Sequence, residues 1–96
     1  MPEITAETFR PHVDSTFTIA HPEAPDAPIE ARLLEVESVE ATAGRPSSFS
    51  LLFGGDDRHL PQAVCNLTHS ELGEFSCFLV PSGQREGQIR YEAVFA

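Results

Sequence analysis

Residues 88–95 read Gln-Ile-Arg-Tyr-Glu-Ala-Val-Phe. Ile89, Tyr91, Ala93 and Phe95 fall on one side of this stretch, and Gln88, Arg90, Glu92 and Val94 on the other. A period of two marks a strand with one buried face, because successive side chains point to opposite sides of the backbone. The same odd-numbered parity recurs upstream. Phe75, Cys77 and Leu79 share it over 74–80, Cys65 and Leu67 over 62–68, and Phe49, Leu51 and Phe53 over 48–53. From Ser15, Phe17 and Ile19 alternate with Thr16 and Thr18. A longer run, 29–39, begins with Ile29, Ala31 and Leu33 on one face and continues with Leu34 and Val36 on the other. That switch predicts a bulge or sharp coil, the usual means by which a strand turns a barrel corner.

Breakers separate the six runs. Residues 20–28 hold three prolines, none able to donate a backbone hydrogen bond, and read as a loop. Gly44 and Pro46 mark a turn over 41–46, and Gly54-Gly55-Asp56-Asp57 stops the strand before it. His69 to Gly73 turns the chain, and Pro81 to Gly87 reads as a polar loop. Residues 5–13 carry a short helix of one or two turns, with Thr5 as its cap and Glu7 favourable near its N-terminus. Pro11 limits it; Ile4, Phe9 and Val13 are the expected buried anchors. Six short strands joined mostly by hairpin-length loops predict a mainly β fold. It is a small antiparallel six-stranded barrel or curled sheet with a short N-terminal helix, in a single domain spanning 1–96. There is no βαβ spacing, which argues against Rossmann and P-loop folds.

Composition narrows the function. The 96 residues include six Arg, no Lys and fifteen Asp plus Glu, for a net charge of -9. Nucleic-acid backbones and anionic lipid surfaces call for basic patches, so neither is an expected partner. No apolar run approaches the eighteen or so residues that span a bilayer. The start, Met-Pro-Glu-Ile-Thr-Ala-Glu, has neither a basic nor an apolar leader region, and the expected compartment is the cytoplasm. An apolar share of 41% is enough for a modest core.

The groups that carry chemistry are sparse. A turn centred on Glu71 places Cys65 opposite Cys77 and Leu67 opposite Phe75. Directly opposed residues lie within disulfide range, which makes Cys65 and Cys77 a candidate cross-strand disulfide. The other reading is two reduced, buried thiols acting as small hydrophobes. His12, His21, His59 and His69 are scattered over turns and loops, without the spacing of a metal site. Asp56-Asp57-Arg58-His59 reads as a solvated loop tip, lacking the alternation of an oxygen-rich cation site. No Gly-x-Ser-x-Gly elbow is present. Cys65 and His69 sit roughly 13 Å apart along one strand, too far for a dyad. Glu30, Glu35, Glu37 and Glu40 are interspersed with Arg32 and Arg45, the pattern of a solubilising surface more than a regular copy of phosphates. Against the core parity, Leu52, Phe78, Val80 and Val94 form a second apolar face. A barrel leaves that face exposed unless the Phe9 helix or another protein covers it, with the helix the expected cover.

Several strings resemble an uncharacterised family of small acidic bacterial proteins, classed as a domain of unknown function. They are Phe49-Ser-Leu-Leu-Phe53, Leu60-Pro61-Gln62, Leu67-Thr-His69, Leu72-Gly73, Phe78-Leu-Val-Pro81, Tyr91-Glu-Ala-Val-Phe95 and, earlier, Phe9-Arg-Pro-His-Val13. The resemblance implies a structural or accessory role beside phage-tail-collar-like proteins and supplies no catalytic residues. The expected function is therefore a non-enzymatic structural or protein-interaction module, with no cofactor. Its expected contact residues are Leu52, Phe78, Val80 and Val94, meeting a protein partner or a second copy. The alternatives are an acidic nucleic-acid mimic or inhibitor and a small hydrolase-like enzyme.

Overall fold

A computed structural model of the chain describes residues 5–39, 43–44, 48–55, 60–85 and 87–95. Six strands follow a short helical start. The order is α1 (Ala6–Phe9), a 3-10 turn (Arg10–His12), β1 (Thr16–Ala20), β2 (Ile29–Val39), β3 (Ser48–Gly54), β4 (Ala63–His69), β5 (Gly73–Arg85) and β6 (Gln88–Phe95). All neighbours pair antiparallel, and the strands close into a barrel in the order β1-β2-β3-β6-β5-β4. Closure leaves no free edge, which removes a route to aggregation for a chain of six strands.

The period of two becomes an interior. Phe17, Ile19, Ile29, Ala31, Leu33, Leu51, Phe53, Cys65, Leu67, Cys77, Leu79, Ile89, Tyr91 and Ala93 form one buried cluster, joined by Phe9. Odd parity holds from strand to strand because the ladder registers preserve it. Phe53 opposes Tyr91, Leu67 opposes Phe75, and Phe17 opposes Ala31. The expected bulge in β2 lies between Leu33 and Glu35. Beyond it the parity flips, so that Val36 packs against the core opposite Leu51. One extra residue thus lets an eleven-residue strand bend around the barrel with apolar side chains inward at both ends.

The stretch read as a polar loop at 81–87 is instead largely strand. β5 continues through Pro81 to Arg85 and pairs with β6, with a second register shift between Pro81 and Gly83. A bulge is where a strand tolerates proline, since the missing N–H falls outside the regular ladder. Hydrophobic alternation stops at Val80, so the period carries no trace of this extension.

The helical start is a plug. Phe9 is 1% exposed and lies among Phe17, Phe49, Phe75 and Phe95, with ring centroids 5.5–6.4 Å away. It closes one end of the barrel and does not cover the outer sheet face, which corrects the expectation that the helix shields Leu52, Phe78, Val80 and Val94. Val13, expected as an anchor, is exposed, and Ile4 lies outside the described residues. The turn that follows runs through Asp14, which adopts a positive φ of 76°; Asp tolerates this conformation better than most residues with a side chain. The Asp14 N–H donates to the Leu33 carbonyl at 2.7 Å, which ties the turn ahead of β1 to β2.

Candidate functional site

Register arithmetic places the outer-face residues. Val64 on β4 opposes Phe78 on β5. Leu79 opposes Ala93, so Phe78 and Val94 are next neighbours across β5 and β6 on the outside. Val94 in turn opposes Ser50 on β3. Val64, Phe78 and Val94 therefore form a row over three adjacent strands, and they are 61%, 47% and 64% exposed. Leu52 and Val80 are half-buried and stand in the next row, separated by Glu92, which opposes both. Glu35 opposes Leu52 from the other side, and Glu35, Glu37, Ser50, Leu52 and Glu92 line one shallow dimple. Of the four residues expected on this face, Phe78 and Val94 form its exposed apolar part. Leu52 and Val80 sit in a carboxylate-rich flank. Val64 completes the row. The pairing that sets 65 against 77 also sets 64 against 78, so the signal for Val64 was present in the register.

Cys65 and Cys77 oppose each other in the β4–β5 ladder, inside the barrel. Both are buried free thiols, and the Cys65 thiol donates to the Ala63 carbonyl at 3.6 Å. Burial and the neighbouring Cys65 push the Cys77 thiol up to about 12, and burial also raises Cys65. Thiols so far from ionisation are poor nucleophiles and poor metal ligands, since both roles need the thiolate.

The structure assembles a cluster that residue spacing could not reveal. Ser15, at the entry to β1, meets His69, the last residue of β4, with Oγ 3.0 Å from Nε2. The His12 ring lies edge-on to the His69 ring at a centroid distance of 4.7 Å, and Phe17 covers His69 at 4.4 Å. His12 Nδ1 is 3.7 Å from a Glu71 carboxylate oxygen. The composition of this cluster resembles a hydrolytic centre, yet its proton positions point elsewhere. The His69 Nδ1 accepts the backbone N–H groups of Glu71 (3.0 Å) and Leu72 (3.3 Å). That assigns the remaining ring proton to Nε2, which donates to Ser15 Oγ. The Ser15 hydroxyl in turn donates to the His12 carbonyl. The ring holds no free lone pair toward the serine and cannot act as its base. The cluster is a clasp between turn and strand.

His21 repeats the arrangement at the other end of β1. Its Nδ1 accepts the Glu23 N–H at 3.0 Å, and its Nε2 donates to the Pro61 carbonyl at 2.7 Å. His21 and His69 are both buried. Their odd numbers share the core parity, and this was the one signal of their burial in the sequence. The cavity beside His21 measures about 10 Å³, at the lower limit for a single water. Among the described residues, no group of three or more His, Cys, Asp and Glu is gathered as a metal site. The Asp56–His59 loop tip lies outside the described residues. Among those described, no helix is long and apolar enough to cross a membrane.

Comparison with known proteins agrees with the resemblance at the level of family. Residues 4–95 match the model of a domain of unknown function, DUF6916, and the chain belongs to that family. No curated protein and no solved structure matches it.

Proposed function

We propose that this family member is a non-enzymatic protein-interaction module whose contact surface is the outer row Val64, Phe78 and Val94, with Leu52 and Val80 at its flank. The observation that carries the reading is the exposure of three large apolar side chains in register on one sheet face. Such a contiguous patch costs free energy in water and is typical of a surface that is covered in use. Glu35, Glu37 and Glu92 beside it, with a net charge of -9, favour a partner that presents an apolar ridge flanked by basic groups. The same charge opposes association of two copies. The resemblance to proteins found beside phage-tail-collar-like components supports a place as an accessory of such an assembly in bacteria. The buried free thiols suit work in the reducing cytoplasm.

Against an enzyme stands the Ser15–His69 pair, whose protons are committed to holding the fold. The test is site-specific photocrosslinking in the source cell, with a photoreactive phenylalanine analogue at Phe78 and a control at Glu30. Adducts formed at 78, absent at 30 and lost on Val94→Asp support the reading. Absence of adducts at 78, or identical adducts at both positions, removes this surface from consideration.

A further inference from the structure

The barrel is closed by its shortest seam. β1 and β4 share three register pairs, Thr18–Thr68, Ile19–Leu67 and Ala20–Asn66, the fewest of the six ladders. The two buried histidines stand at its two ends. His21 directly follows β1 and bonds to Pro61, just ahead of β4. His69 ends β4 and bonds to Ser15, just ahead of β1. Each ring crosses the seam through Nε2–H, and each uses Nδ1 to accept backbone N–H groups of its own turn. Both roles require the neutral imidazole. A proton added to Nδ1 meets an N–H donor head-on and leaves that donor without its acceptor.

We propose that the β1–β4 seam carries an acid-released latch: protonation of His69 unties its Ser15 end, and the barrel opens there first. Opening turns β1 and β4 into edge strands with unpaired N–H and C=O groups and uncovers Phe17, Ile19 and Leu67, surfaces ready to pair with another chain. The latch stands independently of the outer-face reading.

The surroundings set its direction. His69 faces His12 from the 3-10 turn, Glu71 from its own turn, and the uncharged Phe17 and Ser15 from the β1 side. Burial holds its proton affinity below the ordinary 6.5, the His12 ring adds to that, and the Glu71 carboxylate opposes it. The unfolded imidazole therefore takes a proton at a higher pH than the folded one. Its contribution to the closed state is complete above about 6.5 and is lost as pH falls from there to the folded value. His21 shares its cavity with Ile19, Ile29, Leu60, Pro61, Cys65, Leu79 and Tyr91, of which the Cys65 thiol and Tyr91 phenol are the ionisable groups. Its loop neighbour Glu23 contributes a backbone N–H.

Hydrogen exchange, corrected for intrinsic rates and read by mass spectrometry at pH 7.5 and 5.0, tests the latch on the full chain. It compares the wild type with the variant His69→Asn, whose side-chain oxygen can accept the turn N–H groups without titrating. In the wild type, protection over 16–20 and 63–69 is expected to fall by at least about tenfold more than over 48–54 and 88–95. In the variant that selective loss is expected to vanish. Equal loss over all strands, no loss, or the same selective loss in the variant overturns the proposal. If the variant does not fold, imidazole ¹H–¹⁵N spectra of the wild type decide. An Nε2–H tautomer at His69 at pH 8, with protonation of that ring coinciding with the β1 amide changes, sustains the latch. An Nδ1–H tautomer at His69, or β1 changes while the His69 ring stays neutral, overturns it.

Discussion

Phe9→Ala asks whether the helical start is a plug or an appendage. The ring is 1% exposed and touches four aromatic neighbours, so its removal leaves a void at the end of the barrel. A buried Phe removes about 150–250 Å² from water. At about 25 cal/mol per Å² that is an upper value of about 4–6 kcal/mol. Large-to-small changes at such sites cost about 3–5 kcal/mol. A domain of this size is stable by about 5–14 kcal/mol in all, so the variant should be folded but marginal. The rest of the lid cannot compensate. The Arg10–Glu7 ion pair is exposed and local, and Arg10 Nη2–Ser38 Oγ, although 2.8 Å long, is exposed as well. The matched control is Phe78→Ala, the same deletion at a 47% exposed position, with an expected cost below about 1 kcal/mol. Urea denaturation followed by circular dichroism measures both. A loss under about 1 kcal/mol for Phe9→Ala, or equal losses for the two variants, would refute the plug, since cavity cost cannot be so small at a closed aromatic site.

Three further outcomes follow from the same structure. Phe78→Asp should keep the fold within about 1 kcal/mol and abolish partner capture, because its side chain faces outward; collapse of the fold would show that the ring is part of the core. Cys65 and Cys77 should resist an aromatic disulfide reagent at pH 8 and react fully in denaturant. Because the folded Cys77 thiol is raised from 9.0 to about 12, its contribution to stability is present below pH 9 and fades as pH climbs toward 12; rapid labelling of the native protein would contradict the burial. Gly73→Ala should destabilise by about 1 kcal/mol, measured by thermal melting, because Gly73 closes the β4–β5 turn at φ 81°, where a Cβ is strained although space is open. An unchanged melting temperature would mean that the turn relaxes.

Local pattern already contained much of the architecture. Alternation of apolar and polar residues is a direct imprint of the pleat, so the six strands, their inward faces and the Leu33–Leu34 bulge could be read in one dimension. So could the Cys65–Cys77 and Leu67–Phe75 oppositions, because a short turn leaves little freedom of register. The extension of β5 past Val80 could not, since Pro81 to Arg85 pair through backbone groups that have no hydrophobic signature. The location of the Phe9 plug was equally hidden. An apolar residue on a one-turn helix states that it wants burial and not where.

The candidate sites divide in the same way. Phe78 and Val94 were legible as residues of the wrong parity for the core, and the fold shows them in one row with Val64. His69 and Ser15 are 54 residues apart, and only barrel closure brings them to 3.0 Å. Their proton arrangement depends on two backbone N–H groups whose aim is set by the β4–β5 turn. Sequence by itself determined which faces are greasy and how hairpin partners align, because both follow from the two-residue repeat of an extended chain. The tertiary structure alone decided which end Phe9 stoppers, that β1 pairs with β4 to close the barrel, and that two scattered histidines bond across that seam, because those contacts join residues that no local periodicity relates.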